Sequence, residues 1–378
     1  MEKKKLKLKK PVKIICKILI IIFIIFLLLF VGYFFLERKL NKIGYSNEAV
    51  FNIITKFKYN YVMNYPNNNT LNAAFESSYY NEKNVEHYSK ITYRNQKNII
   101  KNINLLLKRG YSDREISMII THGNDDSVSS FAKREKIKYL EEFFSYDFAK
   151  LDNYDRYIKY MDEYGDDEET TIIKVNLDLD KENYVDSKVV TDYSKYVLAN
   201  KHHFVGENYV PKNLIKVPSE YTISGDGSVK GTNEAVSAAI GMIKAAKKDN
   251  LNLLINSGYR SYKDQEDTYN TYLKLYGENY VINYVAKPGY SEHQTGYSFD
   301  FASANSNIFA NSQEYQWMIK NSYKYGFVYR FLKSKEDITG IRHEAWHFRY
   351  VGVKAAKIMD KEELSFEEYY AKYLDKSN

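Results

Sequence analysis

A histidine and an aspartate seven residues apart, His293 and Asp300, stand in the stretch "GYSEHQTGYSFDF" at 289–301. Further along, "HEAWHFRY" places Glu344 three residues before His347. Two imidazoles and one carboxylate make a three-ligand set of nitrogen and oxygen donors. Such a set suits a catalytic zinc that keeps one coordination position open. Zinc in that setting lowers the pKa of a water towards ~7 and polarises a carbonyl. A base must then take the proton of that water, and Glu344 is the candidate.

The elements around these residues must bring them together. Strand alternation in "GYSFDF" puts Tyr297, Phe299 and Phe301 on one face, with Ser298 and Asp300 on the other. The aromatic face needs a core, and the aspartate face is expected to look into a cleft. Gly296 lets the chain turn, so that His293 approaches the same cleft. A strict strand would put Glu344 and His347 on opposite faces, so a turn or bulge at Ala345 is required. Spacing alone leaves alternatives open. His347 reads equally as a buried histidine in an aromatic strand, and His343 competes as a ligand because it would point with His347.

The N-terminal part has a different character. Ile18 to Leu36 is an apolar run of nineteen residues, close to the ~20 that a helix needs to cross a bilayer. Eight lysines precede it, while only Arg38, Lys39 and Lys42 follow closely. This bias puts residues 1–17 in the cytoplasm as a basic tail and the rest of the chain outside. The run ends "GYFFLERKL" without a small-residue cleavage site, which favours a retained single-pass anchor at 18–36 over a cleaved signal peptide. Residues 1–36 hold eight lysines and one glutamate, net +7, and the whole chain is also +7. The remaining 342 residues therefore balance, at 47 basic and 47 acidic. The basic surplus belongs to the anchor, where it meets membrane lipids, and gives no argument for nucleic acid. The only cysteine, Cys16, lies at the edge of the span. An exported domain without cysteine has no disulfides and relies on its hydrophobic core.

Residues 37–190 read as a mostly helical extracytoplasmic region without internal repeat. "NIIKNINLLLKRGYSDREISMIITHG" spaces apolar residues at three and four, and Ser112 with Glu115 predicts a capping box. "TIIKVNLDLD" alternates like a strand and is expected to link two domains. His87 and His122 stand alone and read as surface or packing residues. From about 191 the composition changes. Strand-like "LNLLINSGYRS", "GYSFDF" and "FRYVGV" mix with helical "SYKDQEDTYNTYLKLYG", "SQEYQWMIKNSYKYG" and "SFEEYYAKYL". Ser261–Asp264 and Ser365–Glu368 predict two more capping boxes. Mixing without a regular β-α-β order predicts an α+β domain over 191–378, a central antiparallel sheet flanked by helices.

The stretch from about 195 to 360 resembles the VanY-like D-alanyl-D-alanine carboxypeptidases. These are zinc peptidases related to the VanX dipeptidases and, in fold, to the hedgehog signalling domain. The resemblance rests on "SGYRSYKDQ" (257–265), "SEHQTGYSFD" (291–300), "KEDITGIRHEAWHFRYVG" (335–352) and, more weakly, "LANKHHFVGENYVPKNL" (198–214). It implies one zinc held by His293, Asp300 and His347, with Glu344 as the base and His343 left out. It also implies that Arg260 holds the free carboxylate of the substrate, a task suited to a planar, permanently charged fork. Gln265 and Ser291 fall at positions near the bound peptide. Ser298 and Ala345 depart from the usual small apolar residue and proline. His202 and His203 read as structural or exposed. The function implied is removal of the C-terminal D-alanine from peptidoglycan stem peptides. An L,D-carboxypeptidase acting on tetrapeptides shares every one of these motifs. The rival from another class is a catalytically silent wall-binding or sensor protein, against which the intact Glu344 argues.

Overall fold

A computed structural model describes residues 10–375; positions 1–9 of the expected basic tail lie outside the described residues. The chain forms two compact units, one running to Ser145 and the other starting at Tyr146. The expected boundary at 190/191 thus falls inside the second unit.

The first unit begins with α1 (Lys10–Lys42), whose composition and length allow it to cross a membrane. Its apolar side chains, among them Ile18, Phe23, Leu28 and Phe30, are exposed. The helix outlasts the apolar run and ends around the fully buried Leu40. Short helices follow, including α2 (Ile99–Lys108) and α3 (Asp113–His122). Ser112 caps α3 with the reciprocal Glu115 bond of a capping box, as its sequence predicts. Long-range bonds recur at a similar separation. Ser46 N donates to Asn72 Oδ1 26 positions on, Thr92 N to Ser117 Oγ 25 on, and Lys97 N to Asp125 Oδ1 28 on. Successive helical layers are therefore tied each to the next, a stacking order that no sequence similarity between layers reveals. His87 pairs with Asp113 at 2.7 Å, and His122 is buried against Phe144.

In the second unit, α4 (Tyr154–Tyr164) and α5 (Glu168–Asn176) come first. The expected strand over "TIIKVNLDLD" is α5 instead. Asp167 caps it by accepting from Thr170 N at 2.9 Å, and Glu168 and Glu169 fill its first turn. The acidic residues just before the expected strand are thus a helix start signal.

The sheet consists of β1 (Leu253–Ser257), β2 (Ser298–Ser303), β3 (Phe327–Tyr329) and β4 (His347–Tyr350), in the order β1-β2-β4-β3. Every neighbouring pair is antiparallel, so the α+β reading holds. One face carries Phe299, Phe301, Phe327 and Phe348, which pack with Leu253 and Ile255 against α6 (Asn233–Lys248) through Val236, Ala239 and Met242. Further helices are α7 (Tyr262–Tyr276), α8 (Glu278–Tyr284), α9 (Gln313–Asn321) and α10 (Val353–Glu362). Ser261 caps α7 and Ser365 caps the turn after α10, both through capping boxes. The C-terminal helical stretch is short, Phe366–Tyr369, and then widens into a π-turn.

Candidate metal centre and its cleft

The register between β2 and β4 sets Asp300 directly opposite His347, on the sheet face away from the phenylalanines. Cross-strand partners lie ~4.5–5.5 Å apart at Cβ, so two of the expected ligands meet by sheet geometry alone. His347 Nδ1 is 3.1 Å from Asp300 Oδ1. His293 arrives from a 3₁₀ turn, Glu292–Thr295, which ends at Gly296 with φ +71°. That left-handed conformation favours glycine, and a Cβ there would also crowd Pro211 at 3.0 Å. His293 Nε2 then lies 3.4 Å from Asp300 Oδ2. One donor atom from each of His293, Asp300 and His347 falls within 4.8 Å of the others.

The remaining ring nitrogens fix how these histidines face. His293 Nδ1 is 2.7 Å from Gly258 O. A carbonyl only accepts, so Nδ1 carries the proton and Nε2 offers its lone pair to the centre. Gly258 sits where a Cβ would meet Lys230 O at 2.3 Å, so close backbone packing requires glycine there. His347 Nε2 lies 3.3 Å from Glu292 Oε2, leaving Nδ1 towards Asp300. A carboxylate behind a ligating histidine is the usual way of holding its tautomer and ring orientation. Burial lowers the His293 pKa, with Arg260 adding to the effect. Burial also opposes charge on His347, yet bonds to Asp300 and Glu292 push it up to about 9. Asp300 is half-buried; desolvation opposes its charge, but the two histidines hold it well below the usual carboxylate range. Neutral imidazoles and an ionised carboxylate are the donor forms zinc takes, and zinc is the metal this set fits.

The required turn is present. His347 N donates to Glu344 O at 3.3 Å across Ala345 and Trp346, which brings Glu344 Oε2 within 3.7 Å of His347 Nδ1. Burial pushes the Glu344 carboxyl up to about 7, against the pull of His347. A carboxylate titrating there is matched to moving a proton near neutral pH. His343 is turned away to Tyr329 Oη and is not part of the donor group. His202 and His203 are both buried, and His203 Nδ1 is bonded to Asn200 Oδ1 at 2.9 Å.

The centre opens into a cleft of about 250 Å³, lined in part by Arg260, Gln265, Ser291, Tyr280 and Trp346. Arg260 follows β1, and its Nε is buried without a hydrogen bond. Burial disfavours its charge, while Asp300 and Glu344 support it. Gln265 donates through Nε2 to Ala286 O at 2.7 Å and leaves Oε1 buried and unpartnered. Ser291 is buried at the cleft wall.

The sequence reading missed the support behind His347. Glu292 accepts from Arg330 Nε at 2.8 Å, Arg349 Nη1 at 3.1 Å and Ser298 Oγ at 3.0 Å. Arg330 Nη1 also donates to Glu367 at 2.7 Å. Burial opposes charge on Glu292, but the two arginines hold its carboxyl well below the usual range. Glu292 is adjacent to His293 in the motif, and Arg349 shares the face of His347 by alternation, so both carried a local signal.

Residues 229–353 match the VanY family, described as D-alanyl-D-alanine carboxypeptidase. The chain is 39% identical over 181 residues to the putative carboxypeptidase YodJ of Bacillus subtilis, covering 46% of this chain and 66% of that protein. It is 30% identical over 181 residues to the bifunctional D-Ala-D-Ala dipeptidase and carboxypeptidase VanXYC of Enterococcus gallinarum, covering 46% of this chain and 92% of that one. The chain belongs to the VanY family. A solved LdcB LD-carboxypeptidase is 36% identical, covers 49% of this chain and 90% of its own, and has a TM-score of 0.46. The VanY match takes in all four strands, β1, β2, β3 and β4, and with them the three candidate ligands and Glu344.

Proposed function

We propose that this VanY-family chain is a membrane-anchored zinc D,D-carboxypeptidase that removes the terminal D-alanine from peptidoglycan stem peptides. The observation that carries the reading is Glu344, held beside the His293–Asp300–His347 group in a cleft that also contains Arg260. When bound, zinc supplies Lewis acidity to a carbonyl and to water. Arg260 takes the free carboxylate of the substrate, so the cleft accepts only a chain end. Gln265 Oε1 accepts from a substrate N–H and orients the peptide. Glu344 takes the proton of the attacking water and delivers it to the leaving amine. Burial of these groups excludes bulk water and strengthens each charge interaction.

The anchor is α1, with its N-terminal side in the cytoplasm and the catalytic unit outside. The lysine excess before the apolar run supports this orientation. Protease added to intact protoplasts is expected to digest the chain beyond α1, and protection of that part would reverse the topology.

The activity is tested by incubating the full-length protein with defined pentapeptide and tetrapeptide stems and weighing the products. Loss of one D-alanine from the pentapeptide is the expected result. Cleavage of the tetrapeptide alone would make the chain an L,D-carboxypeptidase. No cleavage of either would leave a silent wall-binding protein.

A further inference from the structure

Lys201 is a buried ammonium, 8% exposed, in the wall of the same cleft. Lysine is almost never buried to this degree unless paired. The buried arginines of this unit follow that rule, Arg330 on Glu292 and Glu367, and Arg349 on Glu292. Lys201 does not. Among the described residues its Nζ donates to one acceptor, Ile282 O at 2.8 Å, and no carboxylate lies within ion-pair distance. An ammonium has three donors, so two remain. Leaving such a group desolvated and uncompensated is costly, and a bound anion would compensate it.

Its place in the cleft indicates which part of a substrate it meets. Arg260 N donates to His293 O at 3.2 Å, and its charge acts on both Asp300 and Glu344, so Arg260 stands beside the reacting groups. The Lys201 ammonium is disfavoured by burial alone, with no charged group contributing. Its Nζ is bonded to Ile282 O in the last turn of α8, and among the described residues it has no hydrogen bond or ion pair with His293, Asp300, Glu344 or His347, so it is set apart from the reacting groups. Its cleft neighbours are Tyr284 at the end of α8, Thr339 and Ile341; the last two flank Gly340, where a Cβ would lie 3.4 Å from the Lys201 chain. A carboxypeptidase substrate ends one residue beyond the scissile bond, and Arg260 accounts for that end. A second anion further from the reacting centre must lie upstream.

We propose that Lys201 is an anion subsite that binds a carboxylate carried by the stem peptide upstream of the scissile bond. The inference rests on the carboxypeptidase reading above. Two sources share this chemistry: the α-carboxylate of the γ-linked D-glutamate, and the second carboxylate of a diaminopimelate side chain.

The test uses the full-length protein and kcat/KM on matched pentapeptides. One pair carries D-glutamate or D-isoglutamine. The other carries diaminopimelate with its side-chain carboxylate free or amidated. Wild type is expected to favour the free carboxylate roughly tenfold or more in one pair, since a hydrogen bond to a charged group contributes at that level. The pair that responds identifies the source. Lys201→Met is expected to lose the preference mainly through KM, and Lys201→Arg to retain much of it. Both should keep the Arg260-dependent preference for a free over an amidated C-terminus. Equal efficiency of wild type on both pairs would overturn the proposal without any variant. An equal loss on free and amidated forms in Lys201→Met would also overturn it, leaving the lysine as a cap on the last turn of α8. Absence of product from every peptide would instead strike the carboxypeptidase reading itself.

Discussion

The two histidines of the centre are held in opposite ways. His293 leans on a backbone carbonyl, Gly258 O, and its surroundings favour the neutral ring. His347 leans on a side chain, Glu292, which is itself held between Arg330 and Arg349. One ligand depends on the path of the main chain. The other depends on a buried charge network that a single substitution can break. Removing one partner of a buried ion pair costs about 3–5 kcal/mol, because it strands the remaining charge. The difference teaches that similar distances to Asp300, 3.4 Å and 3.1 Å, do not mean equal robustness.

The largest effect should come from the ligands themselves. His293→Ala and His347→Ala are each expected to lose the zinc, measured as metal per chain after dialysis. Full occupancy in either variant would remove that residue from the set.

Glu292→Ala should come next. It leaves Arg330 and Arg349 short of a buried partner and His347 without its support. We expect a stability loss of about 3–5 kcal/mol and zinc affinity weakened about 10–100-fold. Glu292→Gln keeps an acceptor for His347 and should lose less affinity than Ala. Wild-type zinc affinity in Glu292→Ala would show that the His347 half needs no such support.

On the other side, Gly258→Ala adds a Cβ against Lys230 O and must shift the carbonyl that holds His293. Zinc affinity is expected to fall while the Glu292 network stays intact, visible as unchanged Arg330 and Arg349 bonds to Glu292 in a crystal structure. An affinity equal to wild type would mean that the main-chain anchor tolerates movement.

Arg260→Ala should keep the zinc and narrow the preference for free-acid over amidated peptide. Arg260→Lys should restore little, since it keeps the charge but not the fork. Equal losses on both peptides would place the carboxylate anchor elsewhere.

The smallest effect is a proton count. His347 has a pKa of about 9 before metal binds, so below that pH its ring carries a proton that zinc must displace. Zinc uptake at pH 7 should release about one proton, and the release should fade as pH rises through about 9. Titration calorimetry in buffers of different ionisation enthalpy measures this, and no release at pH 7 would contradict the state assigned to His347.

Much of this centre was legible in the sequence because its signals are local. The alternation of "GYSFDF" gave both the buried face of Tyr297, Phe299 and Phe301 and the opposite face of Asp300. The turn at Ala345 followed from the need to put Glu344 and His347 together. All three expected capping boxes have their reciprocal bonds. The α5 segment reads as a strand because "TIIKVN" fits both periods, and the deciding cap, Asp167, lies before the apolar residues that suggest the alternation. Arg330 and Glu367 carried no local signal. Arg330 reaches Glu292 across 38 residues and Glu367 across 37, through tertiary packing that periodicity cannot register. Lys201 was passed over because what marks it, burial in the cleft wall without a carboxylate partner, exists only in the fold.

The central claim is that Glu344 moves the proton while His293, Asp300 and His347 hold the metal. Glu344→Gln tests it directly, because the amide keeps the shape and cannot accept the proton. Turnover of the stem peptide should fall about 10²–10⁴-fold, with one zinc per chain and substrate affinity retained. Near-normal turnover in Glu344→Gln, with zinc bound, would contradict the account and give the base role to another group.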